Sequence, residues 1–239
     1  MNNLYKSPKE RLKKYNSLMI DEEEFIVRKK EWKNFQENQK NLLKLSKVLP
    51  PNSLSLKFSD LVEMDEIKKK LNLYVENFDK KFNKVHLYFW STENGTQKTT
   101  TASILAKELS LKGKNVNFVL MSDLSKILVK EAFETEVSDK VNDFLNCDFL
   151  VIDDSFDAKK MTIYKSGYQI PFLDTFLRKR LETVGKATCF TSNIRLESIN
   201  EEVFGTSIVK LMERSVLDPF NFTCHYSKKN DFNPQDLWS

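Results

Sequence analysis

The chain has 239 residues, 40% apolar, 12% aromatic and 30% charged, a balance too hydrophobic for a disordered chain and too charged for a membrane protein. Its length suits one domain, or one domain with an appendage; no run approaches the roughly 20 apolar residues that span a bilayer, and Met1 to Lys14 is charged where a signal peptide would be apolar, so a cytoplasmic protein is expected. Residues 1–50 hold twelve Lys and Arg against seven Asp and Glu, and the remainder 26 against 27, so the basic excess is N-terminal and suits a solvated helix, an acidic partner or nucleic acid.

The arm reads as two helices. Leu12, Tyr15, Leu18 and Met19 recur at helical spacing after Pro8, and Asp21 with Glu24 has the spacing of a capping box opening a second helix. On that second helix Phe25, Trp32, Phe35 and Leu42 mark one stripe. A hairpin of this size buries too little to stand alone, so the stripe is expected to meet the main domain or another protein. Pro50 and Pro51 end the pattern, because consecutive prolines remove donors and disfavour helical backbone before them. The expected division is a helical arm over 1–47, a linker over 48–53 and a main domain over 54–239.

Helices and strands then alternate. Ile67, Leu71, Tyr74, Val75, Phe78 and Phe82 form a helical stripe, and Val85 to Trp90 reads as a buried strand. A helix carrying Ala102, Leu105, Ala106 and Leu109 stops at Gly113. Strands are expected over Val116 to Met121, Phe149 to Ile152 and Ala187 to Ser192, with helical stretches from Ser122 to Asn146 and around Leu173, Phe176, Leu177 and Leu181. This order implies an α/β fold, a parallel sheet flanked by helices on both faces, with ligands bound outside the carboxyl ends of the strands.

Three segments fall at those ends. Thr92 to Thr99 (TENGTQKT) has the frame of the phosphate-binding loop GxxxxGK[ST], with Lys98 and Thr99 in place and Thr92 and Gln97 where the two signature glycines belong. The lysine suits the β and γ phosphates, the threonine hydroxyl suits Mg²⁺, and the loop N–H groups of Asn94, Gly95, Thr96 and Gln97 with the helix N-terminus suit the anion. Glycine is preferred there because the backbone must approach the phosphate and take positive φ; the chain has only five, and Gln97 is expected to put a side chain in that space. Phe149 to Asp154 (FLVIDD) delivers two carboxylates at a strand end. Asp153 is placed to hold Mg²⁺, and Asp154 to orient or deprotonate a water. Thr191-Ser192-Asn193 ends the next strand, where a polar side chain can bond that water or the γ phosphate.

Together these segments resemble the AAA+ ATPases of the DnaC/DnaI and IstB type. The resemblance runs from Phe58 to Tyr226 and is carried by NGTQKTTTASILAKEL, CDFLVIDD, FLRKRLE, ATCFTSN and KLMERS. It implies an AAA+ P-loop NTPase core, ATP and Mg²⁺ as cofactors, and Asn193 as sensor 1. It also implies Arg214 as an arginine finger reaching a neighbouring subunit, with Arg180 a second candidate, and Lys228 and Lys229 loosely at the sensor 2 position. It places Phe58 near the adenine, an alternative to core packing. The loader branch implies an arm that grips the replicative hexameric helicase, here through Phe25, Trp32 and Phe35, and a core that self-associates and touches single-stranded DNA. The arm lacks the cysteines of zinc-bearing loader arms.

The leading expectation is therefore an ATP-dependent helicase loader, in a phage or mobile-element version. The alternatives are an adaptor that binds the helicase without turnover, and an IstB-like transposition helper. Lys159, Lys160, Tyr164, Lys165 and Tyr168 form a basic loop with two aromatics after the paired aspartates, the composition of a single-strand binding segment or of a solvated loop with packed tyrosines. Cys147, Cys189 and Cys224 lie far apart without a CxxC pair and are expected to be reduced core residues. His86 and His225 lack partner ligands, and Lys68, Lys69 and Lys70 lie on the polar side of a helix.

Overall fold

In the computed structural model, residues 22–50, 53–62, 64–133, 139–159, 169–216 and 220–221 are described. The first predicted helix, Asp21, Lys160 to Tyr168, Cys224, His225, Lys228 and Lys229 lie outside them. The chain divides into two compact units between Lys40 and Asn41. Helix α1 (Glu22–Ser46) crosses that division without a glycine or proline to interrupt it. The division precedes the expected 48–53 linker because Leu45 and Leu49, at the end of the helix and just beyond it, are buried in the core of the larger unit. On the earlier part of α1, Trp32 and Phe35 are 61% and 52% exposed, with their rings stacked at 5.6 Å.

The larger unit is built on five parallel strands, β1 (Leu87–Trp90), β2 (Val116–Leu120), β3 (Phe149–Asp153), β4 (Ala187–Ser192) and β5 (Phe220–Asn221), in the order β2-β3-β4-β1-β5. Alternate side chains leave a strand on opposite faces, so one strand feeds two cores. Leu87, Phe89, Phe149, Val151, Ala187 and Cys189 pack on one side, with α2 (Asp65–Glu76) and α3 (Lys98–Leu111). Tyr88, Leu150, Ile152 and Phe190 pack on the other. That second layer comprises α4 (Met121–Ala132), α5 (Asp139–Asn146), α6 (Gln169–Arg178) and α7 (Glu201–Ser215).

Most predicted elements lie within a residue or two of those found. Met121, expected to end a strand, instead opens α4 and is fully buried. The stripe from Ile67 to Phe82 spans α2 and a π-helical turn (Phe78–Phe82), and Tyr74 stacks on Phe82 at 5.0 Å. The two-residue β5 is too short to carry a periodicity of its own, so the sequence does not signal it. Phe58 is buried in the first core layer beside Leu61 and Met64, which supports the packing alternative for that ring. Cys147 and Cys189 are free and buried. No described helix is long and apolar enough to cross a membrane.

Arg180 requires a correction. It lies in the π-helical turn (Lys179–Val184) that continues α6, and it is 0% exposed. Its guanidinium donates to the carbonyls of Leu145 (2.8 Å), Cys147 (2.7 Å) and Ala187 (2.7 Å) and to the Thr188 hydroxyl (3.2 Å). A cation sealed among its own chain's carbonyls cannot reach a neighbouring subunit, so Arg180 is a structural clamp and not an arginine finger.

Candidate nucleotide site

Strand register brings the three polar segments together. Phe89 of β1 is level with Thr191 of β4, and Ile152 of β3 with Phe190, so the loops after β1, β3 and β4 leave the sheet at one level. They border a cavity of about 360 Å³ lined by Asn94, Gly95, Thr96, Gln97, Lys98, Thr99, Thr100, Asp154 and Asn193. Lys98 to Thr100 form the first turn of α3, whose leading N–H groups have no partners within the helix and present positive charge to this space.

The loop folds as its frame requires even though the glycines are replaced. Gln97 takes φ 64° and ψ 13°, the left-handed backbone that glycine supplies at no cost, and Gly95 takes φ 75°. A non-glycine residue pays roughly 1 kcal/mol there. Thr92 is exposed and needs no left-handed backbone, so the first replacement is nearly free and the second is the strained one. The Gln97 side chain turns back from the loop, and its Oε1 accepts from the Val62 N–H at 3.3 Å. The expectation that it simply fills the phosphate space therefore needs amending: it also anchors the loop.

Lys98 is 8% exposed, and its Nζ donates to the Glu93 carbonyl (2.9 Å) and to the Thr96 hydroxyl (3.0 Å). The ammonium is thus held inside the loop's own curve, at the wall of the cavity. The Thr99 hydroxyl donates to Asp153 Oδ1 at 2.8 Å. Thr191 donates a second hydroxyl bond to the same oxygen and accepts the Asp154 N–H at 3.1 Å. Burial pushes the Asp153 carboxyl above the ordinary carboxylate range, opposed by the bonds from Thr191 and Thr99 and reinforced by the Asp154 charge. A buried carboxylate beside a threonine hydroxyl is a hard-oxygen pair whose chemistry fits Mg²⁺.

Asp154 turns out of the strand at φ 51° and is half-buried at the cavity wall beside Asn193. The turn carrying Asn193 is fastened on both sides. Ser192 donates to the Ser155 carbonyl (2.6 Å), Tyr88 donates to the Ile194 carbonyl (2.9 Å), and Arg195 lies 4.9 Å over the Trp90 ring. Thr191 and Ser192, part of the TSN motif in the sequence, bind the acidic turn to β4. Their contribution depends on β3 lying beside β4, which linear order does not display.

The other predicted residues do not share this cavity. Arg214 sits in the last turn of α7 and pairs with Glu182 of its own chain, with its side chain 52% exposed. Lys159 is exposed, and its N–H bonds Asp157 at 3.0 Å. Lys160, Tyr164, Lys165 and Tyr168 fall outside the described residues. Trp32 and Phe35 stand on α1; the Phe25 side chain is not among those described. His86 is buried just before β1, and burial together with the nearby Arg180 charge pushes its pKa down to about 4, so it is neutral.

No protein-family model and no curated protein sequence matches this chain. Solved structures do. A DnaI structure is 18% identical over 74% of this chain and 92% of its own, with a TM-score of 0.55. A DnaC helicase loader is 18% identical over 72% of this chain and 99% of its own, with a TM-score of 0.58. The replication initiator DnaA, bound to AMPPCP and single-stranded DNA, is 13% identical over 73% of this chain and 50% of its own, with a TM-score of 0.57. With the strand order and the cavity at the strand ends, these likenesses show that the chain has a DnaC/DnaI-like AAA+ fold.

Proposed function

We propose that this chain is an ATP-dependent loader of the replicative DNA helicase onto single-stranded DNA in replication initiation. The observation that carries the reading is the convergence of Lys98, Thr99, Asp153, Asp154 and Asn193 at one cavity or its buried floor, in a fold like that of the DnaC and DnaI loaders. In this reading Lys98 exchanges its loop carbonyl for a phosphate oxygen, and the N–H groups from Asn94 to Thr99 surround the anion. Thr99 and Asp153 would hold Mg²⁺, which when bound offsets phosphate charge. Asp154 orients the attacking water and accepts its proton, and Asn193 hydrogen-bonds that water or the γ phosphate. Arg214 leaves Glu182 on self-association and reaches the neighbouring subunit's nucleotide.

The division of labour follows from what each part offers. The arm grips the helicase through the stripe containing Phe25, Trp32 and Phe35, which precedes the division at Lys40, and the larger unit, whose core includes Leu45 and Leu49, binds nucleotide. Two stacked, exposed rings form the kind of anchor that carries most of an interface's energy. Lys159, Lys160, Tyr164, Lys165 and Tyr168 contact single-stranded DNA. The strained Gln97 favours a second reading, an adaptor that binds helicase without turnover. The test of the partner is co-purification with the replicative helicase. Wild type should be retained, and Trp32→Ala should weaken retention at least tenfold, more than any single lysine change in the arm. Equal retention of a chain starting at Asn41 would refute the assignment.

A further inference from the structure

β2 is an outer strand of the sheet, pairing among the described residues with β3 alone. Along a parallel strand, the N–H and C=O of one residue face one side and those of the next residue face the other. The Asn115 carbonyl accepts from the Phe149 N–H at 3.2 Å, so Asn115, Asn117 and Val119 face β3, while Val116 and Phe118 face outward. Among the described residues nothing hydrogen-bonds those outward groups. Natural sheets blunt such edges with lysine, proline or a bulge, yet β2 reads VNFVL. An edge of this kind is a template for an added strand.

The edge lies at the floor of a cavity of about 350 Å³ that every residue of β2 lines. Leu45 and Val48, at the end of α1 and just beyond it, form one apolar wall, and Ile127 of α4 with Phe144 of α5 the other. An edge recessed in this way cannot meet the same recessed edge of a second copy. It can admit a single extended segment, whose alternate side chains would pack on the two walls. Of the charged groups around the cavity, Lys44 pairs with Asp143 at 3.1 Å and Asp123 with Lys126 at 3.1 Å, which leaves Lys140 without a counter-charge among the described residues. The segment that fits is therefore mainly apolar, with one acidic side chain. One wall belongs to the helix whose exposed rings grip the helicase in the loader reading. Resting on that reading, we propose that this groove is a second docking site for the helicase, which adds an extended segment to β2 and sets a carboxylate against Lys140.

The test is amide hydrogen exchange of the full chain, alone and with the replicative helicase, together with helicase affinities of three variants whose folding is checked by thermal melting. In the complex the Val116 and Phe118 amides should exchange at least about tenfold more slowly, because each gains an acceptor. Val116→Ala and Val116→Pro both remove the valine side chain, but only proline removes the outward N–H. Val116 opens β2 and its N–H serves no ladder bond, so proline is tolerated there. Val116→Pro should bind the helicase about three- to tenfold more weakly than Val116→Ala, the loss of one neutral hydrogen bond. Lys140→Glu, an exposed change, should weaken binding by a similar factor. If Val116→Pro does not fold, the exchange comparison and Lys140→Glu decide the matter. A complex in which Val116 and Phe118 exchange as in the free chain would overturn the inference and leave the loader reading standing. Protection that appears without helicase as the protein is concentrated would assign the groove to a second copy and also overturn it. Failure of wild type to bind the helicase would overturn both.

Discussion

At the residue scale the site's central group is Asp153, a carboxylate that the fold buries and then supports with two hydroxyl bonds. Its folded-state pKa is raised, so the ionised form costs stability as pH rises through that pKa, and the cost vanishes at low pH where the carboxyl is protonated in both states. Asp153→Asn keeps an oxygen to accept from Thr99 and Thr191 while removing the charge. It should raise the melting temperature at neutral pH by about 2–4 °C per kcal/mol relieved, with a gain that shrinks on acidification, and it should abolish Mg²⁺-dependent nucleotide binding. Melting curves from acid to neutral pH check the first effect; a lower melting point at neutral pH would contradict it. The carboxylate was legible from sequence because four apolar residues precede it, but its support was not. Thr191 is 38 residues away, and only the β3–β4 pairing makes them neighbours.

At the scale of elements, apolar runs such as LYFW and FLVID identified the strands, because burial on both faces requires an unbroken run. The same logic could not assign Arg180, whose position in the FLRKRLE segment reads as an exposed helical arginine. Its role arises from an ending turn of α6 that meets the end of α5 and the start of β4, where three carbonyls face one point. Arg180→Ala should strand those carbonyls and destabilise the larger unit by about 3 kcal/mol or more. Arg180→Lys should recover little of that loss, since a single ammonium cannot reproduce the planar fork. Urea unfolding measures both. A loss below about 1 kcal/mol for the alanine variant would mean that water satisfies the carbonyls and that the clamp is unimportant.

At the scale of the whole molecule, the proposed loader reading has the sheet supply one half of a nucleotide site and a neighbouring copy the other. Among the described residues Arg214 pairs with Glu182, an exposed pair of the kind worth at most about 1 kcal/mol, so its release in the proposed assembly would be cheap. Arg214→Ala should leave nucleotide binding intact and suppress turnover. In mixed oligomers, subunits lacking Arg214 should rescue subunits lacking Asp154; no rescue at any ratio would count against a shared site. Everything in this account rests on the cavity at the strand ends being a nucleotide site, and calorimetric titration of Mg-ATP into wild type and Lys98→Ala tests that most directly. Wild type should bind, and Lys98→Ala should bind about ten- to a hundredfold more weakly, the loss of a charge-assisted bond worth roughly 1.5–3 kcal/mol. Equal affinity in the two proteins, or no binding to wild type either alone or with the helicase present, would contradict it.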